Sequence, residues 1–95
     1  MAKEAFERSY PGKTPQEIHE ATRKIIDGIA SQYSLKHESD AARLEGKVSR
    51  TGVSGRYQVA GEKLSLELDF SMLVPGSIRK RVVDEVRGRL DKLFT

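Results

Sequence analysis

Two alternating segments meet at Gly61-Glu62, and that joint leaves few ways to fold the chain. Before it, Val53, Tyr57 and Val59 share one parity; after it, Leu64, Leu66 and Phe70 share one parity. A period of two is that of a strand with one buried face. A two-residue connection with glycine first suits a type II′ hairpin. Closing the hairpin this way sets Ala60 against Lys63, Val59 against Leu64, Tyr57 against Leu66 and Val53 against Phe70. The apolar pairs fall on one face. The other face matches Arg56 with Glu67 and Gln58 with Ser65. A slip of one residue would bury those charges, so the register is strongly specified.

The pattern extends upstream. Thr51-Gly52-Val53-Ser54-Gly55 reads as the next turn, and parity requires Leu44 and Val48 on the inner face. With Thr51-Gly52 as the tight turn, Gly46 sits opposite Tyr57, whose ring would cover the bare backbone there. Leu35 and His37 alternate with Lys36 and Glu38, and a turn near Asp40-Ala41 would pair Lys36 with Glu45 and Glu38 with Arg43. Ala5–Ser9, anchored by Phe6, is a short first strand that ends at the turn Tyr10-Pro11-Gly12-Lys13.

Two stretches change to helical spacing. Thr14-Pro15-Gln16-Glu17 combines a capping side chain, a proline suited to the first helical position and a glutamate that closes a capping box. Ile18, Thr22, Ile25, Ile29 and Tyr33 then recur on one face with Ile26 beside them, which predicts a helix over 15–33. Opposite charges stand four apart at Glu20–Lys24 and Arg23–Asp27. Near the C-terminus, Ile78, Val82, Val86, Leu90 and Leu93 form a second stripe, widened by Val83. Pro75 places its start near Gly76 or Ser77. Lys80–Asp84, Arg81–Glu85, Glu85–Arg89 and Arg87–Asp91 are further pairs four apart. The order is β-α-β-β-β-β-α. Matching apolar stripes to the apolar face of the sheet gives an α+β fold, a single antiparallel sheet with two helices packed on one face. At 95 residues, with no linker, the chain is expected to be a single domain over 1–95.

Composition removes several functional classes. Cysteine is absent, which excludes disulfides, thiolate catalysis and Cys-ligated zinc. The longest bulky apolar run is Met72-Leu73-Val74, too short for a membrane span. No basic start leads into an apolar stretch, so a cytoplasmic location is expected. The net charge is +3, and the segment 78–94 carries six bases against three acids. That excess can attract an anionic surface weakly.

The motif candidates fail on their spacing. Gly12-Lys13-Thr14 resembles the end of a phosphate-binding loop, but Glu7 occupies the required glycine position and Pro15 removes an amide. Gly52-Val53-Ser54-Gly55 lacks one spacer of a nucleophile elbow and lies between strands. Two histidines, His19 on the margin of the first helix and His37 half-buried at a sheet edge, do not make a metal site alone. Glu45, Glu67, Asp69, Asp84 and Glu85 each have a basic neighbour in the proposed register, so none has the isolated apolar setting that raises a carboxylate pKa. The expectation is a protein without catalytic residues, cofactor or metal. Arg79-Lys80-Arg81 with Arg87, Arg89 and Lys92 could track a phosphate backbone, the basis of an alternative reading as a weak nucleic-acid-binding module. The outer sheet face offers no aromatic residue on which a base could stack, so nucleic acid is the lesser expectation. A homodimer through an edge strand or the last helix, a scaffold without a ligand, is a further expectation. Met72-Leu73-Val74, between the last strand and Pro75, is the candidate contact for a partner or an apolar polymer.

Three stretches carry a family resemblance. The first helix runs into Tyr33-Ser34-Leu35. The hairpin Arg50-Thr51-Gly52-Val53-Ser54-Gly55 is followed by Tyr57 and Val59. Leu64-Ser65-Leu66-Glu67-Leu68-Asp69-Phe70 leads through Pro75 to a helix that ends Leu90-Asp91-Lys92-Leu93-Phe94. Over about residues 16–94 the chain resembles the polyhydroxyalkanoic acid system proteins, small bacterial proteins linked with the genes of polyhydroxyalkanoate granules. The resemblance implies a non-enzymatic accessory or interaction role in carbon storage, with a granule protein or the granule surface as partner. It brings no catalytic or binding residues of its own. The candidate contact is Met72, Leu73 and Val74 with Arg79 and Lys80.

Overall fold

A computed structural model describes residues 2–94. The chain runs β1 (Ala2–Ser9), α1 (Pro15–Tyr33), β2 (Lys36–Asp40), β3 (Glu45–Arg50), β4 (Val53–Ala60), β5 (Lys63–Phe70) and α2 (Gly76–Asp91). The strands form one antiparallel sheet in the order β1-β5-β4-β3-β2, so the first strand crosses over to pair with the last. Both helices lie on its apolar face, α1 over β2, β3 and β4 and α2 beside α1 over β1. The fold is α+β, as the alternation and the two stripes require.

The hairpin at Gly61-Glu62 has the expected register throughout, from Ala60 opposite Lys63 to Val53 opposite Phe70. Gly61 has φ +62, whereas Glu62 is not among the residues with positive φ, which is the type II′ pattern. Thr51-Gly52 is a second two-residue turn, with Gly52 at φ +88 and Arg50 facing Val53. Val48, Tyr57, Val59, Leu64, Leu66, Leu68 and Phe70 are buried on the inner face. Ile18, Ile26, Ile29 and Ala30 of α1 and Val82, Val83, Val86 and Leu90 of α2 close over them.

Caps and cross-element contacts fix the helix ends. Thr14 accepts the amide of Glu17 at 3.1 Å, and its own amide donates to the Glu17 carboxylate at 3.1 Å. Hydrogen bonding of the charged form by Thr14, through its amide first and its hydroxyl second, holds the Glu17 carboxyl below the usual range. At the other end Ser34 turns left-handed, and the Arg50 side chain donates to the carbonyl of Tyr33 at 2.7 Å. Helix α2 starts at Pro75 without a side-chain cap, and its C-terminal carbonyl at Leu90 accepts the Tyr10 hydroxyl at 2.9 Å.

Several expectations are corrected. β1 begins at Ala2 rather than Ala5, because β5 is long enough to give Ala2, Lys3 and Glu4 partners at Phe70, Asp69 and Leu68. The β2–β3 turn is not a tight one at Asp40-Ala41. A four-residue loop over 41–44 takes its place, held by the Asp40 carboxylate accepting the amides of Ala42 and Arg43, with Leu44 at φ +56. Lys36 therefore faces Ser49 rather than Glu45, and Glu38 faces Lys47 rather than Arg43. The faces survive because both strands shift by an even number of positions. Helix pairing also differs. Arg23 turns to Glu20 (2.6 Å) instead of Asp27, and Asp91 pairs with Arg8 of β1 (3.0 Å) instead of Arg87. Among the described residues, Glu45 and Asp69 make no ion pair. Ile78, expected in the core stripe, stays 45% exposed at the rim of the cleft described below.

Candidate interaction site

The segment between β5 and α2 is short and is held open by its own hydrogen bonds. Ser71 donates its amide to the carbonyl of Gly52 at 2.8 Å and accepts the amide of Leu73 on its hydroxyl at 3.2 Å. Val74 closes the turn by donating to the carbonyl of Ser71 at 3.1 Å. This geometry points Val74 inward against the core and leaves Met72 and Leu73 outside, 85% and 91% exposed. They are the two most exposed large hydrophobic side chains among the described residues. Behind them lies an apolar cleft of about 450 Å³ lined by Tyr33, Leu35, Val53, Val74, Pro75 and Ile78. The loop and the cleft are adjacent, and Leu73 borders both.

The structure divides the five residues of the sequence-based contact. Met72 and Leu73 stand together in water, and Val74 is the wall of the cleft. Arg79 is half-buried and folds back so that its guanidinium comes within 4.0 Å of where a Cβ on Gly76 would sit. Lys80 is exposed and pairs with Asp84 at 3.2 Å. Of the other α2 cations, Arg87 shares Asp84 and Arg89 pairs with Glu85 at 3.0 Å, so much of the basic excess is matched by interleaved carboxylates.

A second cluster was not legible from the sequence. His37 has its side chain only 6% exposed although it stands on the edge strand β2. Its Nδ1 is 3.0 Å from the Asp27 carboxylate on α1, and its Nε2 is 2.7 Å from the Tyr57 hydroxyl on β4. The imidazole thus ties helix, edge strand and central strand together. His19, expected at a helix margin, is 2% exposed, with Nε2 3.3 Å from the carbonyl of Glu45 and its ring 6.0 Å from that of Tyr57. Parity had placed His37 and Tyr57 on the same face. The missing signal was Asp27, which the helix pattern had given to Arg23.

Burial pushes the Tyr57 hydroxyl up to about 12, so it is a neutral hydrogen-bonding group at ordinary pH and an unactivated nucleophile. The sign gives a pH prediction. The unfolded chain ionises this phenol near its ordinary value of about 10, and the folded chain ionises it near 12. The stabilisation is therefore complete below the ordinary value and is lost as pH rises to the folded one. In a spectrophotometric titration at alkaline pH, Tyr57 is expected to ionise last of the three tyrosines, together with loss of the fold. A Tyr57→Phe chain should lose that late step.

The remaining motif candidates carry no site. The amide of Gly12, which a phosphate loop would aim at an anion, donates instead to the Glu62 carboxylate at 2.7 Å. Ser54 is on the open sheet face, away from both inner-face histidines. Among the described residues no group of three or more His, Cys, Asp and Glu side chains could hold a metal ion, and no helix is long and apolar enough to cross a membrane.

No curated protein matches the chain. A family model described as "Putative polyhydroxyalkanoic acid system protein" matches residues 9–94, which takes in every element except most of β1. Both two-residue turns, the Tyr57–Gly46 pair and the cleft beside Pro75 lie inside that span, and by this match the chain belongs to the family of polyhydroxyalkanoic acid system proteins.

Proposed function

We propose that the protein is a non-enzymatic accessory of polyhydroxyalkanoate storage that attaches to granules through the 71–75 loop. Met72 and Leu73 make the contact, Val74 and the cleft receive an apolar group of the partner, and Arg79 and Lys80 flank it. The observation that carries this reading is the exposure of two adjacent large side chains, 85% and 91%, beside an apolar cleft. Covering each such side chain is worth about 1.5–3 kcal/mol, so leaving both in water forgoes a large stabilisation unless a partner takes them up. Family membership supports the storage context.

The test is co-sedimentation of the purified protein with isolated granules. Apolar attachment is expected to persist at about 0.5 M salt, where exposed charge contacts are screened. Leu73→Asp should abolish it while shifting folding stability by no more than about 0.5 kcal/mol, the usual range for an exposed position. Granules stripped of protein distinguish the polymer surface from a granule protein as the partner. Failure of the wild-type chain to sediment with granules, or equal sedimentation of Leu73→Asp, would end this reading.

A further inference from the structure

The outer edge of the sheet and the exposed side of α2 share an uncommon property: each is complementary in charge to itself when turned end for end. The amide of Tyr10 donates to the carbonyl of Glu62, continuing the β1–β5 register. Backbone groups alternate along a strand, so the even residues of β1 bond to β5 and the amides and carbonyls of Lys3, Ala5, Glu7 and Ser9 face outward. β1 is eight residues long, with no proline or positive φ to blunt it. Antiparallel pairing with a second copy about Ala5 sets Lys3 opposite Glu7 and Glu7 opposite Lys3 on the outer face.

Helix α2 repeats the relation independently. On the flank turned towards β1 stand Lys80, Asp84, Arg87 and Asp91, each more than half exposed along its side chain. Turned antiparallel on itself, this row sets Lys80 against Asp91 and Asp84 against Arg87. The two centres coincide. Arg87 lies over the Phe6 ring at 5.8 Å, and Arg8 reaches Asp91 at 3.0 Å, so α2 runs parallel to β1. A strand rises about twice as far per residue as a helix. The midpoint of the α2 row, between Glu85 and Val86, therefore falls beside Ala5, the centre of the strand pairing. One two-fold axis satisfies both elements. The other edge, β2, is only five residues long, and centred on its middle residue it would set Glu38 against Glu38.

We infer that the chain associates with a second copy of itself through β1 and α2, joining two five-stranded sheets into one of ten strands with the two α2 helices side by side and antiparallel. Opposite charges in register orient such an encounter, and backbone hydrogen bonds hold it. The surface is distinct from the 71–75 loop, so the dimer would present two loops.

Sedimentation equilibrium of the full chain is expected to show a dimer. Ala5→Pro removes an outward amide that the fold does not use, and edge strands tolerate proline at such a position. It should leave a folded monomer. Lys80→Glu with Arg87→Glu makes the α2 flank wholly acidic, and Asp84→Lys with Asp91→Lys makes it wholly basic. Each double variant alone should dimerise at least about tenfold more weakly, and an equimolar mixture should recover a heterodimer. Circular dichroism confirms folding, and the mixing experiment stands even if Ala5→Pro does not fold. A wild-type monomer at about 0.5 mM, well above the dissociation constants of ordinary dimers, overturns the inference. So does a mixture that associates no better than its components.

Discussion

Replacing Gly46 by alanine is expected to destabilise the protein by about 2–4 kcal/mol, far more than one added methyl group suggests. A Cβ at that position would stand 2.3 Å from both Cζ and the hydroxyl oxygen of Tyr57, inside any permitted contact. The ring cannot simply swing aside. It is 2% exposed, its hydroxyl is bonded to His37 and His19 lies against it. Moving it breaks the hydrogen bond that fastens β2 to the body of the fold and leaves the His37 nitrogen unsatisfied. Tyr57→Phe, which removes that bond but keeps the ring, should cost only about 1–2 kcal/mol. Urea denaturation of the two variants separates the steric part from the hydrogen-bonded part. Equal stability of Gly46→Ala and wild type would mean that the ring does not rest on the glycine.

Phe70→Ala is expected to cost about 3–5 kcal/mol, the range for removing a buried phenylalanine ring from a close-packed core. Phe70 is the largest side chain with no exposure at all. It ends β5 opposite Val53 on one side and the first residue of β1 on the other, so its ring stands where three strands meet. Its neighbour Ser71 then ties the chain to the Gly52 turn and sets the direction of the exposed loop. A small domain has only about 5–15 kcal/mol in total, so the variant should melt well below the wild type, and part of it should be unfolded at growth temperature. Phe70→Leu, which keeps most of the volume, is expected to lose less than about 2 kcal/mol. Thermal melts that rank the two variants in the opposite order would contradict this placement of the ring.

The sheet was legible wherever a short turn and two alternating strands acted together. Ala60–Lys63 and Gly46–Tyr57 could be paired from the sequence because a two-residue turn fixes register and a buried face forbids slips. Between β2 and β3 neither constraint was present. Only His37 of β2 is even partly buried, so apolar patterning could not fix the strand's position, and the left-handed Leu44 that closes the loop breaks the usual preference for glycine there. Helix α1 was readable to the residue because its cap and its stripe agree. Surface ion pairs were readable in part: Lys80–Asp84, Glu85–Arg89 and Arg56–Glu67 form as the spacing and register predict, whereas Asp27 and Asp91 turn to partners on other elements. At the candidate site, the apolar run itself was visible in the sequence. Its division into two exposed side chains and one buried one depended on the Ser71 hydroxyl, which no spacing rule reveals.

The crossover that sets β1 beside β5 bears on how the nascent chain matures. Of the five described strands, β1 is made before the others, but its one neighbour among them is β5, the last of the five to be made. The meander β2–β3–β4–β5 is joined by short connections and can assemble as it is synthesised, whereas β1 must wait with its backbone unsatisfied until the far end arrives. The charged residues Lys3, Glu4, Glu7 and Arg8 keep that waiting segment solvated.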